Sequence, residues 1–402
     1  MPQEPFVYPE VVEIDGICDG HDHLRDLDTD GDGRAEMTVP LAAAVEEVTL
    51  SMGNTKQVVN TSARARIQKD KWQGLVPEGK PLRILVAGLL SKNVDPADIV
   101  AGFDKPDGEE DWDAMKVFFE GVSNDGKNSI RHFSEVIPHI KAMTETKWKH
   151  KDRKMPLLIH LERKYQHILS ADGKADFGKR IQILKREHEG VLTDLEYLFQ
   201  EVPSVSATVE HVSDHRTFEK IEELRAKGYE VYGGIAPHYR EYVHDDLFEG
   251  PAFNSHLLCW PLPKYEEDRQ AVDDKMLSGK PYYYLGPDRA CHANDISQSS
   301  DVKITKEGKV VGGQTQIPEA VVSSVIERFL EMGKGHLLND FLSHNGMRRF
   351  GQTPKTRIRF KREEWTVPHT IEWYSPTKKR TVQCVVAMGG QKRMYKVDRF
   401  PA

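Results

Sequence analysis

Cysteine is scarce in this sequence, which has four cysteines in 402 residues and no CxxC pair. They are Cys18, Cys259, Cys291 and Cys384. Small disulfide-stabilised domains and cysteine-based zinc sites both need closely spaced cysteines, so this spacing argues against both classes. Reduced thiols are typical of the cytosol, and we therefore expect a cytoplasmic protein.

Long apolar runs are absent as well. No stretch approaches the roughly 18 consecutive apolar residues that a membrane-spanning helix needs. The N-terminal stretch MPQEPFVYPEVVEID lacks the basic segment followed by an apolar segment that a secretory signal has. We expect a protein that is neither exported nor associated with a membrane.

The sequence has no excess of positive charge, since its formal net charge is −7. It therefore has no general attraction to nucleic acid. Basic residues near the C-terminus, among them Lys378, Lys379 and Arg380, carry neither a nucleic-acid-binding motif nor an aromatic stacking pattern. We interpret them as solvated surface and expect a small-molecule substrate, not a nucleic-acid partner.

The chain does contain a repeated alternation of short apolar runs with polar or glycine-containing turns and helix-like segments. Eight such runs lie at 14–20, 46–52, 83–89, 114–119, 156–160, 206–211, 229–235 and 282–287. The clearest helix between them is predicted over 179–200. Buried apolar strands alternating with helices are typical of a parallel α/β sheet, and eight of them favour a closed (β/α)8 TIM barrel over a doubly wound sheet.

The predicted barrel occupies residues 1–352. The tail, residues 353–402, alternates basic and apolar residues and is predicted to be a C-terminal extension packed on the barrel, with strands outside it.

Polar residues follow the predicted strands with unusual consistency. His21, His23, Asn54, Lys116, His160, His211 and Asp288 all lie in or just after an apolar run. One histidine at a strand end is usually structural. Because barrel enzymes build their sites at the carboxyl ends of the strands, four histidines, an aspartate and a lysine there predict a metal site.

The His21-x-His23 pair supplies two ligands for one ion, because an extended chain points both rings to the same side. Imidazole and carboxylate ligands together suit a divalent first-row ion such as zinc, and His160 and His211 on neighbouring strands could hold a second ion. Lys116 does not fit as an ammonium group, since two dications would repel it. It either pairs with an acid or has reacted with carbon dioxide to form a carbamate that bridges the metals.

A series of segments now resembles a known family. In chain order these are GHDHLRD, MGNT, MKVFF, IHLER, VEHVSD, APHYREY, HLLCWPLPK, LGPDRACHA and FLSHNGMRRFGQ. They resemble the single-function bacterial-type dihydroorotases of the amidohydrolase superfamily, over about residues 14–372. The resemblance implies a (β/α)8 barrel, often a homodimer. It also implies two zinc ions, one held by His21, His23, Lys116 and Asp288 and the other by Lys116, His160 and His211, with Lys116 carbamylated as the bridge.

The resemblance also implies a reaction, the interconversion of N-carbamoyl-L-aspartate and L-dihydroorotate in pyrimidine biosynthesis. Metal ions would lower the pKa of water and polarise the amide carbonyl, and Asp288 would act as the catalytic base and then as the acid. Arg25, Asn54 and His292 match the positions that hold the substrate carboxylate, for which an arginine fork is well suited. Trp260 and Gly312 match positions whose backbone groups contact the substrate.

Three departures from the family pattern leave the substrate open. The loop at 120–133 has no threonine where the family has two, an acidic insertion occupies 27–37, and Cys291 replaces a proline. Dihydroorotase is the leading hypothesis. The alternatives are a dihydroorotase-like hydrolase of another cyclic ureide, amide or modified base, and a catalytically silent dihydroorotase-like subunit.

Overall fold

A computed structural model describes most of the chain. The described residues are 6–24, 48–52, 62–119, 128–147, 149, 152–162, 190–249, 252–253, 257, 261–290, 293–294, 303–304, 310–311, 316–375 and 380–398.

Eight parallel strands form the centre of the fold. They are β2 (Cys18–His23), β3 (Val48–Met52), β4 (Arg83–Leu89), β5 (Ala114–Phe118), β6 (Leu157–His160), β7 (Ser206–Val209), β8 (Glu230–Ile235) and β11 (Tyr283–Leu285). Each pairs in parallel with the next, in chain order, from β2 to β11. The predicted α/β barrel is therefore confirmed.

The barrel closes through the segment after β11. Strand β12 (Arg289–Ala290) follows β11 after three residues and pairs in parallel with β2, so the chain joins the two edges of the sheet. Gly286 N–H donates to Ile235 O at 2.9 Å on one side of this seam, and Asp288 N–H donates to His21 O at 3.0 Å on the other. No open edge is left at the seam, as full closure requires.

Helices cover the outside of the barrel. The longer ones are Ser62–Gln73, Pro96–Phe103, Ile137–Glu145, His215–Ala226, Glu266–Met276 and Pro318–Glu331, with short helices at His238–Glu241 and Asn345–Arg349. The helix predicted over 179–200 is observed over 190–201, and residues 179–189 lie outside the described part. None of the described helices is long and apolar enough to cross a membrane.

Helix His215–Ala226 shows why these segments form where they do. Asp214 accepts a hydrogen bond from Thr217 N–H at 3.0 Å, which satisfies an otherwise unpaired amide at the helix start. Phe218, Ile221 and Leu224 recur at helical spacing and are buried against the barrel.

The remaining strands lie outside the barrel. Strand β1 (Val11–Ile14) pairs with β16 (Ile358–Thr366), which also pairs with β19 (Lys392–Val397). Strands β13 (Ala293–Asn294), β18 (Arg380–Val385) and β17 (Thr370–Ser375) form a second small sheet. Strand β9 (Phe248–Glu249) pairs with β10 (Ala252–Phe253), and β14 (Lys303–Ile304) pairs with β15 (Val310–Val311).

The prediction of a single strand over 14–20 is wrong, because Gly16, at φ 70°, separates β1 from β2. The boundary at residue 352 stays a prediction.

The amino ends of the strands are closed by the segment that contains Met347, Arg349 and Phe350. Met347 and Phe350 pack with Cys18, Leu85, Leu158 and Tyr284 in a buried cluster inside the barrel. Arg349 donates to Ser206 Oγ at 2.7 Å and to Thr208 Oγ1 at 2.9 Å. Packed side chains thus fill the amino end of the barrel. The polar residues that follow the strands lie at the opposite, carboxyl end.

Candidate metal centre

The two histidines of the His-x-His pair reach the barrel interior because β2 is irregular. Its register against β3 shifts between Asp19 and Asp22, where two residues of β2 oppose one residue of β3. This bulge reverses the alternation of side chains, so that Cys18 faces the interior at one end and His21 and His23 do so at the other. Gly20 is required within the bulge, since a Cβ there would lie 2.2 Å from the Tyr284 ring.

Asp288 lies between these two histidines. Its Oδ1 is 3.0 Å from His21 Nε2 and 2.9 Å from His23 Nε2. Asp288 has a left-handed backbone, with φ 57°, which an aspartate adopts only where its surroundings fix it. The three side chains offer ligand atoms within 4.8 Å of one another and could share one ion.

His211 and His160 form the other side of the cluster. The ring centroids of His160 and His211 are 4.4 Å apart, and those of His21 and His211 are 5.1 Å apart. His160 ends β6, and His211 follows β7 with a left-handed φ of 39°. The two pairs of histidines therefore meet in one space at the carboxyl end of the barrel.

Lys116 on β5 lies in the same space and forms an ion pair with Glu210. Glu210 also contacts His21, with Oε1 2.8 Å from Nδ1. Both Lys116 and Glu210 are almost completely buried. The sequence left two interpretations of Lys116, pairing with an acid or carbamylation. Glu210 is the acid partner that the first interpretation requires.

Burial governs the electrostatics of the cluster. It lowers the pKa of Lys116 well below its ordinary value, so the amine is held towards its uncharged form. Burial also lowers the pKa of His160 and that of His211, which favours neutral imidazoles that can bind a metal. Burial alone would raise the pKa of Asp288, but its contacts with His21 and His23 hold that pKa well below the usual range.

The unpaired nitrogens in this space fit a bound ion. Within the described residues, His160 Nε2 and His211 Nδ1 are buried and have no hydrogen-bond partner. A buried polar nitrogen without a partner costs folding free energy. A divalent ion bound by the neutral imidazole would supply that partner. Imidazoles and a carboxylate are also ligands that zinc and similar ions take in proteins.

Five of the predicted site residues lie outside the described residues. They are Arg25, Asn54, Trp260, His292 and Gly312. The insertion at 27–37, Cys291 and most of the loop at 120–133 are outside them too. The structure therefore brings together His21, His23, Lys116, His160, His211 and Asp288, and the assignment of the other five to substrate binding stays a prediction.

Sequence reasoning missed Glu210 and Glu162. Alternation along β7 points Ser206 and Thr208 inward, and Glu210 continues that series. The alternation was thus a usable signal for Glu210, whereas His211 reaches the same space through its left-handed backbone. Glu162, buried two residues after His160, lies with Oε2 3.7 Å from His160 Nε2.

Comparisons with known proteins agree with this geometry. No family model matches the sequence. The chain is 26% identical over 354 residues to the dihydroorotase of Hahella chejuensis, covering 88% of this chain and 90% of that one. It is 25% identical over 364 residues to the dihydroorotase of Klebsiella pneumoniae (90% and 92%) and 26% identical over 359 residues to the mitochondrial dihydroorotase of Oryza sativa (89% and 78%).

Solved structures show the same fold. Dihydroorotase from Saccharomyces cerevisiae, in complex with 5-fluoroorotic acid, matches with a TM-score of 0.75 at 20% identity over 98% of this chain and 100% of that one. The L-hydantoinase (dihydropyrimidinase) of Arthrobacter aurescens matches with a TM-score of 0.68 at 15% identity over 95% and 82%.

The chain is therefore similar to dihydroorotases in sequence, as its motifs predicted, and it shares its fold with solved dihydroorotase and hydantoinase structures.

Proposed function

We propose that the protein is a dihydroorotase, which interconverts N-carbamoyl-L-aspartate and L-dihydroorotate by closing or opening a cyclic amide. The observation that carries this proposal is the convergence of four imidazoles, one carboxylate and one amine at the carboxyl end of the barrel. The sequence relatives reported above, each named dihydroorotase, support the choice of reaction.

Two zinc ions fit the donor set. We assign His21, His23 and Asp288 to one ion, His160 and His211 to the other, and a carbamylated Lys116 to both. When bound, the metals would lower the pKa of water and polarise the substrate carbonyl. Burial lowers the pKa of the Lys116 amine, which favours the uncharged form that reacts with carbon dioxide, and Glu210 lies beside it in the cluster.

Asp288 is the proposed catalytic base and acid. Its low pKa keeps it ionised, so it can accept a proton from the attacking water in the ring-opening direction. It would then deliver that proton to the departing ring nitrogen. In the closing direction the same carboxylate takes the proton from the nitrogen.

The substrate carboxylate needs a cation, and we assign this role to Arg25, two residues after His23 in the sequence. Asn54 and His292 would add hydrogen bonds to the carboxylate, with Trp260 and Gly312 contributing backbone groups. His23 and Asp288 keep 19% and 10% of their side chains exposed, so the substrate would approach the metals from that side.

A second candidate is hydrolysis of another cyclic ureide or amide. Two observations support this second candidate. Hydantoinase structures share the fold, and the sequence at 120–133 contains no threonine. A silent subunit is disfavoured, because the six residues that we assign as ligands lie in one cluster. The resemblance further leads us to propose a homodimer in the cytoplasm.

The reaction is tested with zinc-loaded protein and two matched rings. L-Dihydroorotate and 5,6-dihydrouracil share the cyclic amide and differ in the carboxylate, so their ring opening should differ by roughly 100-fold or more in kcat/KM in favour of dihydroorotate. Cyclisation of N-carbamoyl-L-aspartate should also be catalysed. Equal or better opening of dihydrouracil or hydantoin would instead establish the second candidate.

A further inference from the structure

A buried ion-pair cluster lies directly beside the proposed metal ligands. Arg289 Nε donates to Asp19 Oδ2 at 2.9 Å, and Arg289 Nη2 donates to Asp22 Oδ2 at 2.7 Å. Asp19 and Asp22 are fully buried, and Arg289 is 2% exposed. One guanidinium thus joins two carboxylates inside the protein.

This cluster is interleaved with the ligands of one ion. Asp22 separates His21 from His23 in the chain, and Arg289 directly follows Asp288. Asp19 Oδ1 also accepts a hydrogen bond from His21 N–H at 3.0 Å. Each member of the cluster is therefore a chain neighbour of a proposed ligand, or is hydrogen-bonded to one.

The cluster also lies across the seam of the barrel. Arg289 and Ala290 pair with Asp22 and His23, which brings β12 against β2, the first strand of the barrel. Asp288, just before this pairing, has the left-handed backbone that its surroundings must hold. The flat guanidinium fork fixes both the distance and the angle between the two strand ends, which a lysine ammonium group cannot do.

Stability alone does not explain such a cluster. Burying three charged groups removes their hydration, and apolar residues of similar size are often as stabilising. A geometric role is the better explanation, because the groups around metal ligands commonly fix the orientation of those ligands.

We propose that Arg289 is a positioning residue, which holds His21, His23 and Asp288 in the arrangement that one metal ion requires. This inference rests on the metal centre proposed above. It assigns Arg289, Asp19 and Asp22 to the ion at the seam and leaves the ion at His160 and His211 unaffected.

Arg289→Lys tests the proposal, with Arg349→Lys as its matched control. Arg349 is also a buried arginine, but it lies at the amino end of the barrel and bonds Ser206 and Thr208. Zinc affinity is measured for each protein by competition with a chromophoric chelator, and unfolding by urea is followed in parallel. Arg289→Lys should weaken one of the two zinc ions by about 10- to 100-fold and leave the other unchanged. Arg349→Lys should lower stability while binding both ions as the wild type does.

Asp22→Asn provides a second variant if Arg289→Lys does not fold, because it keeps the volume and removes one carboxylate. It should weaken the same single ion by a smaller factor. Wild-type affinity at both ions in Arg289→Lys, or the same loss in Arg349→Lys, would overturn the positioning role. A wild-type protein that binds no zinc would instead overturn the metal centre itself, and the positioning role with it.

Discussion

His211 and Asp288 show how single backbone conformations decide which side chains reach the site. Both have positive φ, at 39° and 57°. Alternation along β7 would send Glu210 inward and His211 outward, yet both line the cluster. The position of His211 at a strand end was enough to predict that it belongs to the site. The two-residue alternation of side chains along a strand could not predict how its ring reaches the site.

His238, in the APHYREY segment, is a buried residue whose protonation should make the stability of the protein depend on pH. It is buried, and Gln316 Nε2 lies 3.1 Å from His238 Nδ1 and donates to Pro287 O at 2.9 Å. Burial lowers the pKa of His238 to about 4 from its ordinary value of 6.5. Protonation below pH 6.5 therefore favours the unfolded chain, so the contribution to stability is fully present above that pH and is lost as the pH falls towards 4.

His238→Asn keeps a hydrogen-bond acceptor near the Nδ1 position and removes the titration. The unfolding free energy of the wild type minus that of the variant should fall by about 3 kcal/mol between pH 7 and pH 4. Urea unfolding of both proteins at several pH values, with the same zinc concentration, measures this difference. A difference that does not change with pH would show that His238 titrates alike in the folded and unfolded chains.

Strand β2 is the element in which the pattern and the structure differ most. The apolar run starting at residue 14 reads as one strand, but the chain turns at Gly16 and then bulges between Asp19 and Asp22. A sequence pattern shows which residues are apolar, whereas a bulge depends on the Tyr284 ring that β11 brings against Gly20. The prediction of a strand leading to His21 and His23 held because β2 continues through the bulge to His23.

Gly20→Ala tests the importance of the bulge, and Gly234→Ala on β8 is its control. A Cβ at Gly20 would lie 2.2 Å from Tyr284 Cε2, whereas at Gly234 the nearest atom, Glu210 Cα, is 3.6 Å away. Overpacking should cost Gly20→Ala about 1–3 kcal/mol of unfolding free energy. Gly234→Ala should change it by less than about 1 kcal/mol. Equal effects in urea unfolding would show that β2 adjusts without strain.

The SHNGMRRFGQ segment shows a second limit of reasoning from the sequence, because it is a matching segment that lies away from the proposed metal centre. It is one of the segments that carry the resemblance, yet it lies at the amino end of the barrel, opposite the proposed metal centre. Asn345 Nδ2 donates to Tyr283 O at 3.0 Å, and a Cβ at Gly346 would lie 2.9 Å from Cys18 Sγ. These contacts are close packing beneath the strands, which a sequence comparison cannot distinguish from a role in catalysis.

For the whole molecule, the alternation of apolar runs favoured a barrel over a doubly wound sheet, and the polar residues at the ends of the runs predicted the end at which the site lies. Closure could not be derived from the pattern, because it depends on β12 returning to β2 and on Asp288 N–H bonding to His21 O. The pairing of β1 with β16 was equally inaccessible, since it joins Ile14 to Ile358 across most of the chain. Long-range contacts of this kind follow from tertiary packing and leave no local periodicity.

The most direct test of a dinuclear centre is anomalous diffraction at the zinc edge from crystals of the zinc-loaded protein. Two peaks are expected, one at His21, His23 and Asp288 and one at His160 and His211. Extra electron density on Lys116 Nζ, shaped as a carbamate, should lie between them. A single peak, or an unmodified Lys116 still paired with Glu210 while two ions are bound, would contradict the bridged dinuclear centre.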